Sequence, residues 1–296
     1  MNASTTITIG NELSVKRLGY GAMRLCGPLI MGWPQDRENA LRVLRRAISL
    51  GVNFIDTADA YGPHINEEQI AQALHPYPSD LVIATKGGCT RPDGRWERDG
   101  RPEHLKEACE GSLRRLRVDR IDLYQLHAVD TEVPLEEQAG ALKELQEAGK
   151  IRFVGLSNVD LEQVQRAQRV VKIASVQNNY NVGHRLSEPV LEYCERNGIV
   201  FIPYFPLDGG DLAEVEMLTA IAQAHGATIW QVGLAWLLAH SPALAPIPGT
   251  SSLDHLEENV AASALKLSDE EVAMLDAPFA LRPSSFDSLT LAQDDT

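Results

Sequence analysis

The sequence predicts an α/β protein: a single (β/α)8 TIM barrel whose bottom is capped by an N-terminal β-hairpin. Three observations carry that expectation. Short β-type runs alternate with longer segments in which apolar residues recur every ~3.6 positions. The alternation repeats eight times, which implies parallel strands joined by helical crossovers. The first strand runs into GYGAMRLCG, which lacks GxGxxG spacing and does not open directly into a helix, so an open doubly wound sheet is disfavoured. A length of 296 residues fits two domains of ~150 residues or one barrel of ~250 with additions. No linker or low-complexity tract divides the chain, so residues 1–296 read as one domain.

In chain order, TITIGNEL and SVKRL form a hairpin around Gly10-Asn11, spanning about residues 5–18. The eight strand candidates are Leu18 to Met23, Val52 to Ile55, Leu81 to Thr85, Ile121 to Leu126, Ile151 to Leu156, Ala174 to Gln177, Ile199 to Tyr204 and Ala245 to Pro248. Between them, Asp36 caps a helix carrying Ala40, Leu41, Leu44, Ala47 and Ile48 that stops at Gly51. Leu105, Cys109, Leu113 and Leu116 mark another. Pro134 starts a third that ends at Gly149, and Asp160 caps a fourth. Trp230 and Trp236 lie in an apolar helix and read as core. The polar tail, about 278–296, reads as loosely held.

Composition narrows the function. Against 27 basic residues stand 41 acidic ones, a formal net charge of -14. Nucleic acid and anionic membrane surfaces are therefore poor partners. No apolar run reaches the ~18 residues of a membrane span, and the N-terminus lacks the order of a signal peptide. Four scattered cysteines without CxxC spacing suit reduced thiols and a cytoplasmic location. No HxH or HExxH occurs, so no metal is expected. The assembly expected is a monomer or a weak homo-oligomer.

Barrel chemistry sits at the C-terminal ends of the strands. Strand two ends at Asp56, strand three at Lys86, strand four at His127, and Tyr61 follows Asp56 in a short loop. Neighbouring strands are ~4.8 Å apart, so these groups converge. A Lys+ between a carboxylate and a phenol pairs with the first and lowers the pKa of the second from ~10. Such a tyrosine is a general acid toward a carbonyl oxygen, and a neutral His127 can donate to the same oxygen. No residue here supplies two electrons, so a cofactor must bring the hydride. Trp33 and Trp96 lie in loops after strands one and three and are candidate substrate contacts. His64, His75, His104, His184, His225 and His240 default to structure.

The fragments GVNFIDTADAYG, LVIATKGG, LYQLH, GLSN and IPGTSSLDHLEEN together resemble the aldo-keto reductases, from about Leu18 to Leu275. The resemblance implies that Asp56, Tyr61, Lys86 and His127 are the catalytic tetrad, with Tyr61 as proton donor to an aldehyde or ketone. It implies that Ser157, Asn158 and Gln177 hold the nicotinamide carboxamide, and that Tyr204 stacks on its ring. Gly21, Ala22 and Met23 would line the nicotinamide. Phe205, Pro206, Leu207, Gly209 and Gly210 would lie beside the pyrophosphate. At the adenosine end, Gly249 and His255 stand where relatives often carry Lys and Arg. Thr250, Ser251, Ser252, His255, Glu258 and Asn259 can still form an anion site at a helix N-terminus, and Glu258 would also reach adenine by analogy. The expected cofactor is NADPH, with NADH as the lesser alternative. Similarity of GYGAMRLCGPLIMGWPQD and neighbouring stretches to members that include pyridoxal reductases points to pyridoxal as substrate. Two alternatives remain: a Schiff-base aldolase using Lys86, and a non-catalytic cofactor-sensing binding protein of the same fold.

Overall fold

The computed structural model describes residues 5–207 and 216–277. Gly209, Gly210 and the tail from 278 lie outside the described residues.

The hairpin pairs β1 (Thr6–Ile9) with β2 (Leu13–Lys16), antiparallel. Gly10 and Asn11 make its turn with φ of 63° and 72°, a region that glycine and asparagine tolerate best. Alternation in LSVK sends Leu13 and Val15 inward while Ser14 and Lys16 stay exposed. Ile9, Leu13 and Val15 enter one apolar cluster with Phe54, Val82, Ala84, Leu123, Val200, Ile202, Ala245 and Ile247, which are barrel-interior residues. The hairpin thus fills one end of the barrel.

Seven strands form a continuous parallel ladder in the order β3 (Tyr20–Gly21), β4 (Phe54–Asp56), β5 (Val82–Gly87), β8 (Ile121–Leu126), β9 (Ile151–Ser157), β10 (Ile173–Asn179) and β11 (Val200–Tyr204). The eighth position is filled by residues 243–248. On one side Ala245 N–H donates to Phe201 O and Phe201 N–H to Ala243 O. On the other, Pro246 O and Pro248 O accept from Gly19 and Gly21 N–H. The barrel therefore closes, but one seam carries only half a ladder. Pro246 and Pro248 have no N–H to return toward the first strand.

The helices α1 (Arg37–Ser49), α2 (Ile65–Leu74), α3 (Pro102–Leu116), α4 (Leu135–Glu147), α5 (Leu161–Gln168), α6 (Glu188–Asn197), α7 (Glu216–His225), α8 (Ile229–His240), α9 (Leu253–Ala261) and α10 (Asp269–Asp276) surround the barrel. The expected caps are present: Asp36 accepts from Asn39 N–H at 2.8 Å, and Asp160 and Gln163 form a capping box. Two apolar clusters between helices and strands make the outer core, one centred on α3, α4 and α8 and the other on α1 and β4. Trp236 is fully buried there and Trp230 packs at its edge. All four cysteines are buried and free. Among the described residues no helix is long and apolar enough to cross a membrane.

Two loops rise over the strand ends. After β5, β6 (Cys89–Thr90) pairs antiparallel with β7 (Glu97–Arg98) and carries Trp96. After β3, residues 27–33 form a bend tied to the Tyr61–Gly62 turn. Gly32 N–H donates to Gly62 O at 2.7 Å, and Gly62 N–H to Ile30 O at 3.1 Å.

Candidate active site

Period-2 alternation decides which residues face the barrel axis. On β5, Val82, Ala84 and Lys86 share a face, and on β8, Leu123 and Gln125 do, with His127 next in step. The lower members of each set are apolar interior residues. The upper members are polar and meet at one level.

That level holds the tetrad. Lys86 is 1% exposed and Asp56 2%. Lys86 Nζ donates to Asp56 Oδ1 at 2.5 Å, to Thr57 O at 2.9 Å and to Tyr61 OH at 3.3 Å. Asp56 Oδ2 accepts from Gln125 Nε2 at 3.0 Å and from Gln177 Nε2 at 2.8 Å. A buried ion pair is tolerated only when its remaining valences are met, and the two glutamines meet them. Gln125 was not among the expected site residues, although the Leu123–Gln125–His127 alternation places it on the site face. Room for it comes from Gly155: a Cβ there would lie 2.8 Å from Gln125 Cγ and 2.4 Å from Ser175 Oγ.

The Tyr61 turn is fixed from behind by α2. Thr57 Oγ1 donates to Asn66 Oδ1 at 2.6 Å, and Asn66 Nδ2 donates to Ala22 O at 3.0 Å. Gln69 Nε2 donates to Leu25 O at 3.0 Å. These buried amides join the loops after β3 and β4. Glu67, fully buried, accepts from Thr85 Oγ1 and Arg115 Nε, both at 2.6 Å, behind the Lys86 strand.

Three rings meet edge to face. Tyr61 and His127 have centroids 5.7 Å apart, Trp96 and His127 5.6 Å, and Tyr61 and Trp96 6.3 Å. Among the described residues neither His127 ring nitrogen has a hydrogen-bond partner, and Nδ1 is buried. Burial, then the Lys86 and Arg91 charges, hold His127 well below the usual imidazole range, so it is neutral. Burial pulls Lys86 down, but Asp56 and Tyr61 outweigh it and raise the ammonium above its ordinary value. The expectation that Lys86 lowers Tyr61 needs correction. Lys86 does act in that direction, but burial is the larger effect and pushes the phenol up. Tyr61 is therefore protonated at neutral pH.

The remaining expected residues distribute around the rim. Met23 packs with Ile30 and Trp96 on a small cluster of Cys26, Ala58 and Tyr61. Ser157 ends β9. Asn158, at φ 56°, donates to His127 O at 2.9 Å and accepts from Tyr204 OH at 2.7 Å. Gln177 is turned down onto Asp56. Asn181 Nδ2 donates to Phe205 O at 3.0 Å, and Pro206 and Leu207 follow it.

Across the closing seam, a Cβ on Gly249 would lie 2.6 Å from Gly21 O and one on Gly21 2.7 Å from Ile247 O. Glycine on both sides lets the two backbones pack closely across the seam. The same Cβ position on Gly249 is 3.7 Å from Arg24 Cγ, so the stem of this exposed arginine runs beside Gly249. Ser252 caps α9, accepting from His255 N–H at 3.3 Å, and Thr250 Oγ1 accepts from Ser252 N–H at 3.0 Å. Asn39 Nδ2 donates to Ser251 O at 2.7 Å. Glu258 accepts from Thr228 Oγ1, which commits its carboxylate to α8, and Asn259 is buried. Trp33 carries the Arg37 guanidinium on its face at 4.5 Å, whereas Trp96 reaches the tetrad. Among the described residues no group of His, Cys, Asp and Glu could hold a metal ion.

Comparison with known proteins follows this geometry. The Aldo/keto reductase family profile matches residues 17–278. Pyridoxine 4-dehydrogenase of Escherichia coli is 43% identical over 281 residues, covering 93% of this chain and 98% of that protein. An oxidoreductase of Schizosaccharomyces pombe is 44% identical over 273 residues, 92% of this chain and 89% of its own. Among solved structures, a thermostable aldo-keto reductase in complex with the inhibitor epalrestat superposes with TM-score 0.83 at 34% identity, covering 93% of this chain and 99% of that one. An aldo-keto reductase of Klebsiella pneumoniae in complex with NADPH gives 0.78 at 29% identity, covering 95% and 98%.

Proposed function

This chain belongs to the aldo/keto reductase family, and we propose that it reduces an aldehyde or ketone to the alcohol, with Tyr61 as the proton donor. The observation that carries this reading is the Lys86 ammonium, held at 2.5 Å by Asp56 while its remaining hydrogen-bonding reach touches the Tyr61 hydroxyl. Beside it stands a neutral imidazole with its hydrogen-bonding capacity unspent.

A bound reduced nicotinamide supplies the hydride. NADPH is supported by the Klebsiella relative solved with it and by the chain's own donors. Asn158 and Ser157 stand at the rim for the carboxamide, and Tyr204 offers an aromatic face. The α9 N-terminus with Thr250, Ser251 and Ser252 offers donors for the phosphate end. Local donors must do this work because the net charge of -14 opposes an anionic cofactor.

His127 and Tyr61 donate to the substrate carbonyl oxygen and orient it. As charge grows on that oxygen, Tyr61 passes its proton, and Lys86 stabilises the phenolate left behind. Asp56, with Gln125 and Gln177, keeps Lys86 charged and in place. The same pairing argues against the Schiff-base alternative, because a lysine held as ammonium is not a nucleophile.

For the substrate we propose the pyridoxal–pyridoxine couple, supported by the name of the Escherichia coli relative. The working setting is a cytoplasmic enzyme, monomeric or weakly self-associating. NADPH oxidation measured with pyridoxal, small aldehydes, α-dicarbonyls and sugar or steroid ketones under one condition tests this. Pyridoxal should give the highest kcat/KM. Turnover led by another class would overturn the substrate, and no turnover with any carbonyl, with cofactor still bound, would overturn the reaction.

A further inference from the structure

Arg91 is a buried cation that makes no hydrogen bond to the tetrad; its charge reaches His127 only across space. It is 7% exposed, and no carboxylate lies within ion-pair distance of it among the described residues. Burying a guanidinium without a counter-charge is costly. What offsets the cost lies in the two loops over the site. Arg91 Nη2 donates to Leu29 O at 3.0 Å and to Gly94 O at 2.7 Å, and Nε donates to Gly94 O at 3.2 Å. The guanidinium plane also lies over the Trp96 ring, 4.0 Å from its centroid. One side chain thus joins the bend after β3 to the ribbon after β5.

Both loops hold backbone that side chains seldom adopt. Leu29, Ile30 and Asp93 have φ of 55°, 60° and 51°. Left-handed backbone costs about 1–2 kcal/mol per non-glycine residue, and β-branched Ile30 is the clearest outlier. Such strain gathers at ligand sites. The bend does not exist to bury Leu29, which stands 86% exposed. It does aim Ile30 inward, where Ile30, Met23 and Trp96 pack beside Tyr61. Arg91 grips the carbonyl just before Ile30 and the indole that edges Tyr61 and His127.

We propose that Arg91 is a positioning residue that sets substrate selectivity: it holds Trp96 and Ile30 as the walls that receive the planar ring of an aromatic or heteroaromatic aldehyde. This rests on the carbonyl-reduction reading above. A small aliphatic aldehyde reaches Tyr61 and His127 but leaves the walls largely untouched, so the two substrate types depend on Arg91 unequally. Only a guanidinium can both fork to carbonyls and stack on indole.

The test is the ratio of kcat/KM for an aromatic aldehyde, pyridine-4-carboxaldehyde, to that for propanal. It is measured in wild type, Arg91→Lys, Arg91→Leu, Trp96→Leu and Arg91→Leu/Trp96→Leu, each checked for an intact thermal transition. Arg91→Lys keeps the charge and guards against an Arg91→Leu protein that fails to fold. Both Arg91 variants should lower the ratio at least about tenfold, through a rise in KM for the aromatic aldehyde. The double variant should fall no further than Trp96→Leu alone, because Arg91 acts through the indole. An unchanged ratio in Arg91→Lys, or additive losses in the double variant, would overturn the proposal. Absence of turnover with either aldehyde in the wild-type protein would instead be failure of the carbonyl-reduction reading.

Discussion

Two clusters of ionisable groups differ in how their hydrogen-bonding capacity is spent. One is the tetrad at the strand ends. The other lies outside the barrel, where α6, α8 and α10 meet. There His240 Nδ1 contacts Asp276 Oδ1 at 2.8 Å, and Nε2 contacts Tyr180 OH at 2.8 Å and Glu188 Oε1 at 3.2 Å. Tyr180 OH donates to Glu188 Oε2 at 2.6 Å, and Trp236 Nε1 to Asp276 Oδ1 at 2.8 Å. Both nitrogens of that histidine are occupied. Neither nitrogen of His127 is, and the Tyr61 hydroxyl has one contact at 3.3 Å. The outer cluster spends its capacity on the fold, and the inner one holds capacity back. A buried polar group left without a partner calls for an explanation, and for the inner cluster the proposed one is a bound carbonyl.

The comparison breaks first at Lys86. In Lys86→Met the Asp56 carboxylate loses its counter-charge while staying buried, which costs about 3–5 kcal/mol. Turnover should fall by at least ~10² as well, because Tyr61 loses the charge that stabilises its phenolate. Thermal melts and NADPH-oxidation rates check both. Wild-type stability in this variant would mean that Gln125 and Gln177 alone satisfy Asp56.

His127 separates function from fold. Because its ring makes no hydrogen bond, His127→Gln should lower turnover by about 10²-fold while shifting stability by less than ~1 kcal/mol. A large loss of stability with little loss of turnover would reverse the assignment. Its titration offers a second check. Burial and the Lys86 charge depress its pKa, so kcat/KM should show no break near ~6.5.

His240→Gln should do the opposite, costing about 1–3 kcal/mol of stability with unchanged turnover. The sign of its pH dependence follows from a raised folded pKa: burial opposes the charge, but Glu188 and Asp276 outweigh it. Its contribution is full below the unfolded value of ~6.5 and is lost as pH rises through the higher folded value. The gap in Tm between wild type and variant should therefore be wider at about pH 5.5 than at about pH 9. An equal gap would show that His240 does not change charge there.

Much of the inner cluster is legible in the sequence. Asp56, Lys86 and His127 each end a strand whose alternation fixes an inward face, so their meeting follows from barrel geometry. Gln125 is legible by the same alternation once the site level is set by its neighbours. Ala245 to Pro248 is expected as the eighth strand and does close the barrel, within a segment that starts at Ala243, but Pro246 and Pro248 thin the ladder on one side. The direction of the Tyr61 shift was not legible, because it turns on burial, which depends on loops from β3 and β5 folding over the phenol. Arg91 was not legible either. An arginine in a polar loop reads as surface, and its partners at Leu29, Gly94 and Trp96 are brought together only by the folded loops. The outer cluster shares that limit: His240, Glu188 and Asp276 meet across three helices with no common sequence pattern.

The central claim is that the reserved hydroxyl of Tyr61 is the proton donor. Tyr61→Phe keeps the ring and its edge contacts with Trp96 and His127 and removes only the oxygen. NADPH-oxidation turnover with pyridoxal or another accepted aldehyde should fall by about 10²–10⁴-fold, while NADPH binding followed by fluorescence titration stays within about threefold. Turnover near the wild-type rate in a protein that still binds NADPH would contradict the account.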